Sequence, residues 1–385
     1  MAGGDSLESS TGEIQRAGPA IEEDMPRVRF TRRGMFAFGL FILSGIAFLY
    51  FVLPKLTRVG TTVHGIEKGD GWWIGIGVVL ELLSFAGYVV FFRSVFLSGS
   101  TRIGWRESYE ITMAGLAATR LFAAAGAGGV ALTAWALRRS GMEPRVVASR
   151  MVAFMVLLYV VYAGSLLLDG IGLGIGLFPG GGSFAITIVP ALVSAVLFLI
   201  AGAMTLLPGD LERRLARFSS GTGRFSHAWA KVAAIPALAA MGVRTAIDLV
   251  RSRDPGLLGA VAWWGFDISV LWAMFHAFGH APPFTVILMA YFVGTLGNVL
   301  PLPGGLGGVE GGMIGAFAAF GVDLELAVLA VLAYRGISFW LPTVPGGVAY
   351  FQLRRTVARW REEEHGGPSN ASREAPESAA AAGAA

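Results

Sequence analysis

Long apolar runs alternate with short basic segments along this chain. Met35 to Leu53, Met151 to Leu168 and Phe184 to Leu207 carry no charged residue. At about 1.5 Å of helix rise per residue, each is about long enough to cross a hydrocarbon core roughly 30 Å thick. Three further runs are as long and hold one charged residue each: Trp72 to Phe92 around Glu81, Leu257 to Phe278 around Asp267, and Leu326 to Leu353 around Arg335. The pattern predicts an all-α polytopic membrane protein with six full transmembrane helices.

Two apolar segments broken by glycine and proline lie outside those spans. Leu121 to Val130 reads LFAAAGAGGV and Leu300 to Val309 reads LPLPGGLGGV, 179 positions apart, so Gly126, Gly128 and Gly129 correspond to Gly305, Gly307 and Gly308. Glu81 and Asp267 stand 186 positions apart in corresponding spans. Each half therefore reads span, span, broken hairpin, span, with repeat one over about 34–168 and repeat two over about 184–353. Three spans separate the hairpins, an odd number, so they enter the bilayer from opposite sides as an inverted repeat. Interrupted segments at corresponding places in two halves point to a substrate site at the bilayer midplane. The connecting loop, 208–255, contains a mixed segment between Trp229 and Val250 whose longest uncharged stretch, Val232 to Val243, is too short to span and includes Pro236. It reads either as an interfacial helix or as a cytoplasmic helix packed on the loop.

Composition narrows the class. With 54% hydrophobic and 15% charged residues, and a mean hydropathy of +0.63, the chain falls outside ordinary soluble domains. It has no cysteine, which excludes disulfides, thiolate metal sites and cysteine nucleophiles. The formal charge of +4 is gathered in loops, where it reports topology rather than nucleic-acid binding. Arg27, Arg29, Arg32 and Arg33 precede the first span, and Arg138, Arg139, Arg145 and Arg150 the third. The loop with Arg213, Arg214, Arg217, Arg224 and Lys231 and the tail with Arg354, Arg355, Arg359 and Arg361 fall on the same side if six spans alternate. The expectation is a multi-pass protein of the cell membrane with both termini cytoplasmic. The segment 1–33 lacks a cleavage site for a signal peptide and, like the tail 356–385, is expected to be largely disordered.

The second hairpin carries the chemistry. Pro301 and Pro303 end one half-helix, Gly304, Gly305 and Gly307 permit a tight turn, and the next helix starts with Glu310 in its first turn. Its exposed amides and positive dipole end favour an anion, either a ligand phosphate or the Glu310 carboxylate itself. Arg335 lies mid-span, where a charge costs roughly 2.5 to 3.5 kcal/mol on the lenient insertion scale. Its planar fork suits a lipid headgroup and equally suits Glu310. Arg120, before the first hairpin's glycines, is either the counterpart of that cationic contact or a snorkelling side chain. Glu81 and Asp267 read as proton-coupling carboxylates or as caps for neighbouring polar groups. His276 and His280 have i, i+4 spacing but no third ligand, so no metal site is expected. Gly170 to Gly176 lacks the strand and acidic residue of a nucleotide fingerprint. No Walker, zincin or Ser-His-Asp arrangement appears, and neither an enzymatic activity nor a cofactor is expected.

Pro301, Pro303, Gly304, Gly305, Gly307 and Glu310, followed by Tyr334-Arg335, Phe339, Leu341-Pro342 and Gly346, make the chain resemble the lysylphosphatidylglycerol synthase transmembrane-region family, the flippase-like domain proteins. The resemblance covers roughly residues 35 to 355 and makes 34–355 the flippase-like domain. It implies movement of a lipid between leaflets, with Tyr334 beside Arg335 among the headgroup contacts. In the best-known relatives the lipid is aminoacylated phosphatidylglycerol and a soluble aminoacyl-transferase domain follows. Here a polar tail follows, so aminoacylation is not expected to reside in this sequence. Other relatives accompany glycosyltransferases acting on polyprenyl-linked sugars. The expected function is translocation of an anionic phospholipid, glycolipid or polyprenyl-phosphate-linked lipid. The alternative is a non-transporting membrane subunit that scaffolds a separate glycosyl- or aminoacyl-transferase. The expected partner is therefore a membrane lipid, with a transferase as a further one and no nucleic acid.

Overall fold

Asp70 starts the first described helix by accepting the amide of Trp72 at 2.9 Å, the usual way a carboxylate satisfies an unpaired helix-start N–H. That helix, α1 (Gly71–Phe96), contains no proline and carries Glu81 at its centre. The computed structural model describes residues 69–97, 102–121, 127–206, 224–299, 305 and 307–365. The predicted first span, Met35 to Leu53, lies outside them. Regular structure among the described residues is entirely helical. After α1 come α2 (Trp105–Leu121), α3 (Ala127–Arg139), α4 (Pro144–Gly174), α5 (Phe184–Leu206) and α6 (Arg224–Arg251). The second half follows with α7 (Gly259–Phe278), α8 (Phe284–Thr295), α9 (Gly308–Ala319), α10 (Leu324–Arg335) and α11 (Leu341–His365).

Among the described residues, five stretches are long and apolar enough to cross a membrane: Gly71–Phe96, Pro144–Gly174, Phe184–Leu206, Pro255–Phe278 and Leu324–Glu363. They coincide with five of the six runs expected from the sequence. Helix α5 turns Leu192, Val193, Val196, Leu197, Leu199 and Ile200 outward, a contiguous apolar face that only a lipid or another apolar surface can cover.

Short helices flank the two glycine-rich segments, whose own residues 122–126, 300–304 and 306 lie outside the described residues. Helices α2, α3, α8 and α9 have 17, 13, 12 and 12 residues, and at 1.5 Å per residue each is shorter than a hydrocarbon core. They form two pairs held by glycine. A Cβ on Gly129 of α3 would collide with the Gly115 carbonyl and Thr119 of α2, and one on Gly312 of α9 would lie 3.0 Å from the Gly294 carbonyl of α8. Gly115 and Gly294 stand at the same offset as the hairpin glycines, so the repeat extends to the packing seam.

Helices α1 and α7, equivalent in the two halves, pack antiparallel. Gly77 of α1 abuts Met274 and Val270, whereas Gly87 abuts Gly259 and Ala262. The amide of Asp70 donates to the Ala277 carbonyl at 2.9 Å. The two short pairs start from the ends where α1 and α7 finish, and therefore enter the bundle from opposite ends. Each pair docks on the other half. Helix α2 lies along α11, with Thr356 donating to Glu110 at 2.7 Å and Arg120 to the Phe339 carbonyl at 3.2 Å. Helix α8 lies along α4, where the Tyr162 hydroxyl donates to the Phe292 carbonyl at 2.6 Å. Two apolar cores result. One gathers Phe91, Phe96, Ile111 and Leu137 with Leu353 and Trp360 of α11, and the other gathers Phe275, Ile287, Phe292 and Phe317 with Leu166 and Leu173 of α4.

Two expectations are corrected. The tail does not turn disordered at residue 356, because α11 continues to His365 with Thr356 bonded to Glu110 and Val357 and Trp360 buried in the first core. The loop helix overruns the expected Trp229 to Val250 at both ends: α6 runs for 28 residues through Pro236, with Gly242 seated against Val152 of α4 and Arg244 reaching the Thr205 carbonyl of α5 at 3.5 Å.

Candidate functional site

The tip of the second helix pair is built around Glu310. Helix α8 tightens into a 3₁₀ turn, Leu296–Val299, and α9 starts after Gly307, whose φ of 84° suits glycine and strains other residues. The Gly307 amide donates to one Glu310 carboxylate oxygen at 2.7 Å, and Arg335 Nε donates to the other at 2.6 Å. Of the two readings of this helix start, the structure realises the internal one: Glu310 itself supplies the anion. The side chains of Arg335 and Glu310 are 15% and 9% exposed, so the pair is held largely away from solvent. Gly305, with φ 66°, packs on Asn298 and Val309. Pro301, Pro303 and Gly304 lie outside the described residues.

Arg335 occupies the last turn of α10, next to a π-helical turn, Gly336–Trp340. Pro342 has no N–H to offer the Ser338 carbonyl four residues earlier, and the helix widens at that point. The freed geometry presents the Phe339 carbonyl to Arg120, the last cation of α2, at 3.2 Å and to the Thr343 hydroxyl at 2.5 Å. Both guanidiniums flank the Phe339 ring, Arg120 at 5.9 Å and Arg335 at 5.4 Å from its centre, within reach of a cation–π contact. Of the first pair's glycines, Gly129 lies at the α2–α3 seam, Gly128 is half-buried in the first turn of α3, and Gly126 lies outside the described residues.

The carboxyl groups of α1 and α7 meet where those helices cross. Asp267 is 8% exposed and accepts the hydroxyls of Tyr291 and Tyr334, the latter at 2.9 Å. Glu81, 1% exposed, lies within hydrogen-bond reach of Asp267, with Arg120 in electrostatic range of both. Tyr334, expected from the resemblance among the headgroup contacts, spends its hydroxyl on Asp267.

These elements enclose one cavity of about 560 Å³. Its walls include Gly115, Thr119 and Arg120 of α2, Gly129, Val130 and Thr133 of α3, Asp267 of α7, Gly305 and Val309 at the second tip, and Tyr334, Arg335 and Phe339. Residues flanking the glycine-rich segments of both short pairs therefore face the same space. Glu81, Glu310 and Gly307 stand behind the walls. Val130 on α3 and Tyr159 on α4 line the cavity yet are 40% and 54% exposed, which puts a mouth on the flank between α3 and α4.

The sequence reading missed several wall residues. Thr112, Leu116 and Thr119 form a legible stripe at i, i+4, i+7 on α2. Tyr291 had no such signal, because its partnership with Asp267 depends on how α7 and α8 fold back. Asp169, just beyond the third apolar run, is buried on α4 with one oxygen lacking a partner. His276 stacks on Trp73 at 4.6 Å and meets Trp272 edge-on at 4.5 Å. No cluster of metal-ligating side chains occurs among the described residues.

Comparison with known proteins finds membrane proteins. A UPF0104 membrane protein of Methanothermobacter thermautotrophicus is 35% identical over 109 residues, which cover 28% of this chain and 31% of that protein. UPF0104 membrane protein PH1989 of Pyrococcus horikoshii is 30% identical over 108 residues, covering 28% and 32%, and MJ1595 of Methanocaldococcus jannaschii is 30% identical over 93 residues, covering 24% and 28%. The matched segments thus span about a third of these relatives' lengths. The family model described as "Lysylphosphatidylglycerol synthase TM region" matches residues 36–346. With most of its length matched, the chain belongs to the lysylphosphatidylglycerol synthase transmembrane-region family of integral membrane proteins.

Proposed function

We propose that this protein moves an anionic lipid between the leaflets of the cell membrane, its headgroup passing through the cavity while its acyl chains remain in the bilayer. The observation that carries the reading is a cavity walled by Arg120, Arg335 and residues of both short helix pairs, with its mouth on an apolar flank between α3 and α4. A headgroup crossing hydrocarbon must exchange water for fixed donors, and guanidiniums supply them to phosphate without losing their charge. The volume lies within the range of roughly 300 to 1,000 Å³ typical of small-molecule sites. It matches a polar headgroup rather than a whole lipid.

The same proposal sets the molecule in the bilayer. The two short pairs act as hairpins entering from opposite faces, with the unobserved Met35 to Leu53 run as the sixth span. Arg138, Arg139, Arg145, Arg354 and Arg355 gather where α3 ends, α4 starts and α11 finishes. That end is assigned to the cytoplasm, with both termini.

The test is reconstitution of the purified chain in liposomes carrying headgroup-labelled phosphatidylglycerol or phosphatidylcholine. The anionic lipid is expected to change leaflet faster than in protein-free liposomes. Loss of one buried charge-assisted contact, worth about 1.5 to 3 kcal/mol, should slow that transfer roughly 10- to 100-fold in Arg120→Gln. Folded protein that leaves the transfer rate at the protein-free level would sink the proposal. Stable copurification with a lipid-modifying transferase would then favour the scaffold instead.

A further inference from the structure

The crossing of α1 and α7 contains an anomaly that headgroup binding leaves unexplained. One carboxylate oxygen of Glu81 is buried and has no hydrogen-bond donor. An acceptor left so in an apolar interior is costly, and native structures rarely tolerate it. Its neighbour within hydrogen-bond reach is the Asp267 carboxyl, which already accepts two tyrosine hydroxyls. Two acceptors facing each other are satisfied by one hydrogen between them. We propose that Glu81 and Asp267 form a site for one exchangeable proton, and that its occupancy controls whether Arg120 is available to an anion in the cavity.

Charge balance gives the coupling. The groups facing the pair are Arg120 from α2, Tyr291 from α8, and Tyr334 and Arg335 from α10, with Glu310 behind Arg335. Arg335 is matched by Glu310. With one proton on the acidic pair, its single negative charge balances Arg120. Without the proton, two negative charges face one guanidinium and oppose entry of a further anion. Proton and anion then favour each other's binding, and by linkage the effect is reciprocal. The pair sits between the equivalent helices of the two halves, so both halves share the proton.

The coupling to lipid movement rests on the function proposed above, whereas the proton site does not, and two measurements separate them. First, infrared difference spectra of the purified, substrate-free protein are recorded across a pH titration. A protonated-carboxyl band is expected in the wild type and reduced in Glu81→Gln, with Asp267→Asn as a second variant should the first misfold. Absence of that band, or one that Glu81→Gln leaves unchanged, would overturn the site. A response that follows replacement of sodium by potassium and ignores pH would overturn it in favour of a metal cation. Second, labelled phosphatidylglycerol transfer is followed in liposomes with a pH difference. One coupled proton biases the distribution by at most about tenfold per pH unit, and Glu81→Gln, fixed in the neutral form, is expected to lose that bias while still moving lipid. Equal bias in both proteins overturns the coupling. A carboxyl band without any lipid transfer leaves the proton site standing and removes the lipid reading.

Discussion

Replacing Arg335 and Glu310 by methionine, singly and together, separates the structural work of this pair from its work on a ligand. Both side chains are largely buried, and Glu310 is held by Arg335 Nε at 2.6 Å and the Gly307 amide at 2.7 Å. Arg335→Met leaves a buried carboxylate with one amide donor. Breaking such a pair from one side costs about 3 to 5 kcal/mol. Glu310→Met strands the guanidinium and also removes the cap on Gly307, adding about 1 kcal/mol. In the double variant no charge is left to desolvate, and methionine fills irregular gaps well. The remaining penalty is the lost cap with some repacking, about 1 to 2 kcal/mol. Denaturant unfolding in mixed micelles should therefore rank the double variant as more stable than Arg335→Met by about 2 kcal/mol or more. A double variant as unstable as the single one, or less stable, would refute the argument that desolvated charge dominates here. The same double variant then isolates ligand work: it is expected to fold yet not accelerate phosphatidylglycerol transfer. Restored transfer would reduce Arg335 to a partner of Glu310.

Two other outcomes test the packing and the mouth. Gly129→Ala drives a methyl into Thr119 and the Gly115 carbonyl and should cost about 1 to 3 kcal/mol, whereas Gly265→Ala, with open space at its Cβ in α7, should gain up to about 1 kcal/mol in the same unfolding experiment. Val130→Trp, on the exposed rim, should leave stability within about 0.5 kcal/mol while slowing lipid transfer; unchanged transfer would put the entrance elsewhere.

The sequence carried the helices because apolar length and charge-free runs decide whether a segment can sit in lipid, and that is a local property. It carried the glycine breaks for a similar reason: Gly129 and Gly305 stand in interrupted apolar sequence that pays for itself only by lining something. The pairing of Arg335 with Glu310 was legible as one of two options, since a helix start and a cation on the next span can satisfy each other. Glu81 and Asp267 were legible as costly residues but not as neighbours, because their meeting depends on α1 and α7 crossing at glycines 87 and 259. The helical tail beyond residue 355 was obscured by its charge. Arg354, Arg355, Arg359 and Arg361 depress the mean hydropathy while Leu353, Val357 and Trp360 keep a buried face, a stripe that averaging over the segment hides.

The exchange of partners between halves explains why the cavity exists at all. If α2 and α3 packed on their own half, their tip could close against their own spans. Instead α2 docks on α11 through Glu110, Thr356 and Arg120, and α8 docks on α4 through Tyr162. Each short pair is thereby held by the half it did not come from. Arg120 reaches Phe339 across this exchange, and Asp267 receives Tyr291 from α8 and Tyr334 from α10 of the second half. A single half would therefore lack one guanidinium or the acidic pair. The site is a property of the repeat as a dimer of halves, which is why no single segment, read alone, describes it.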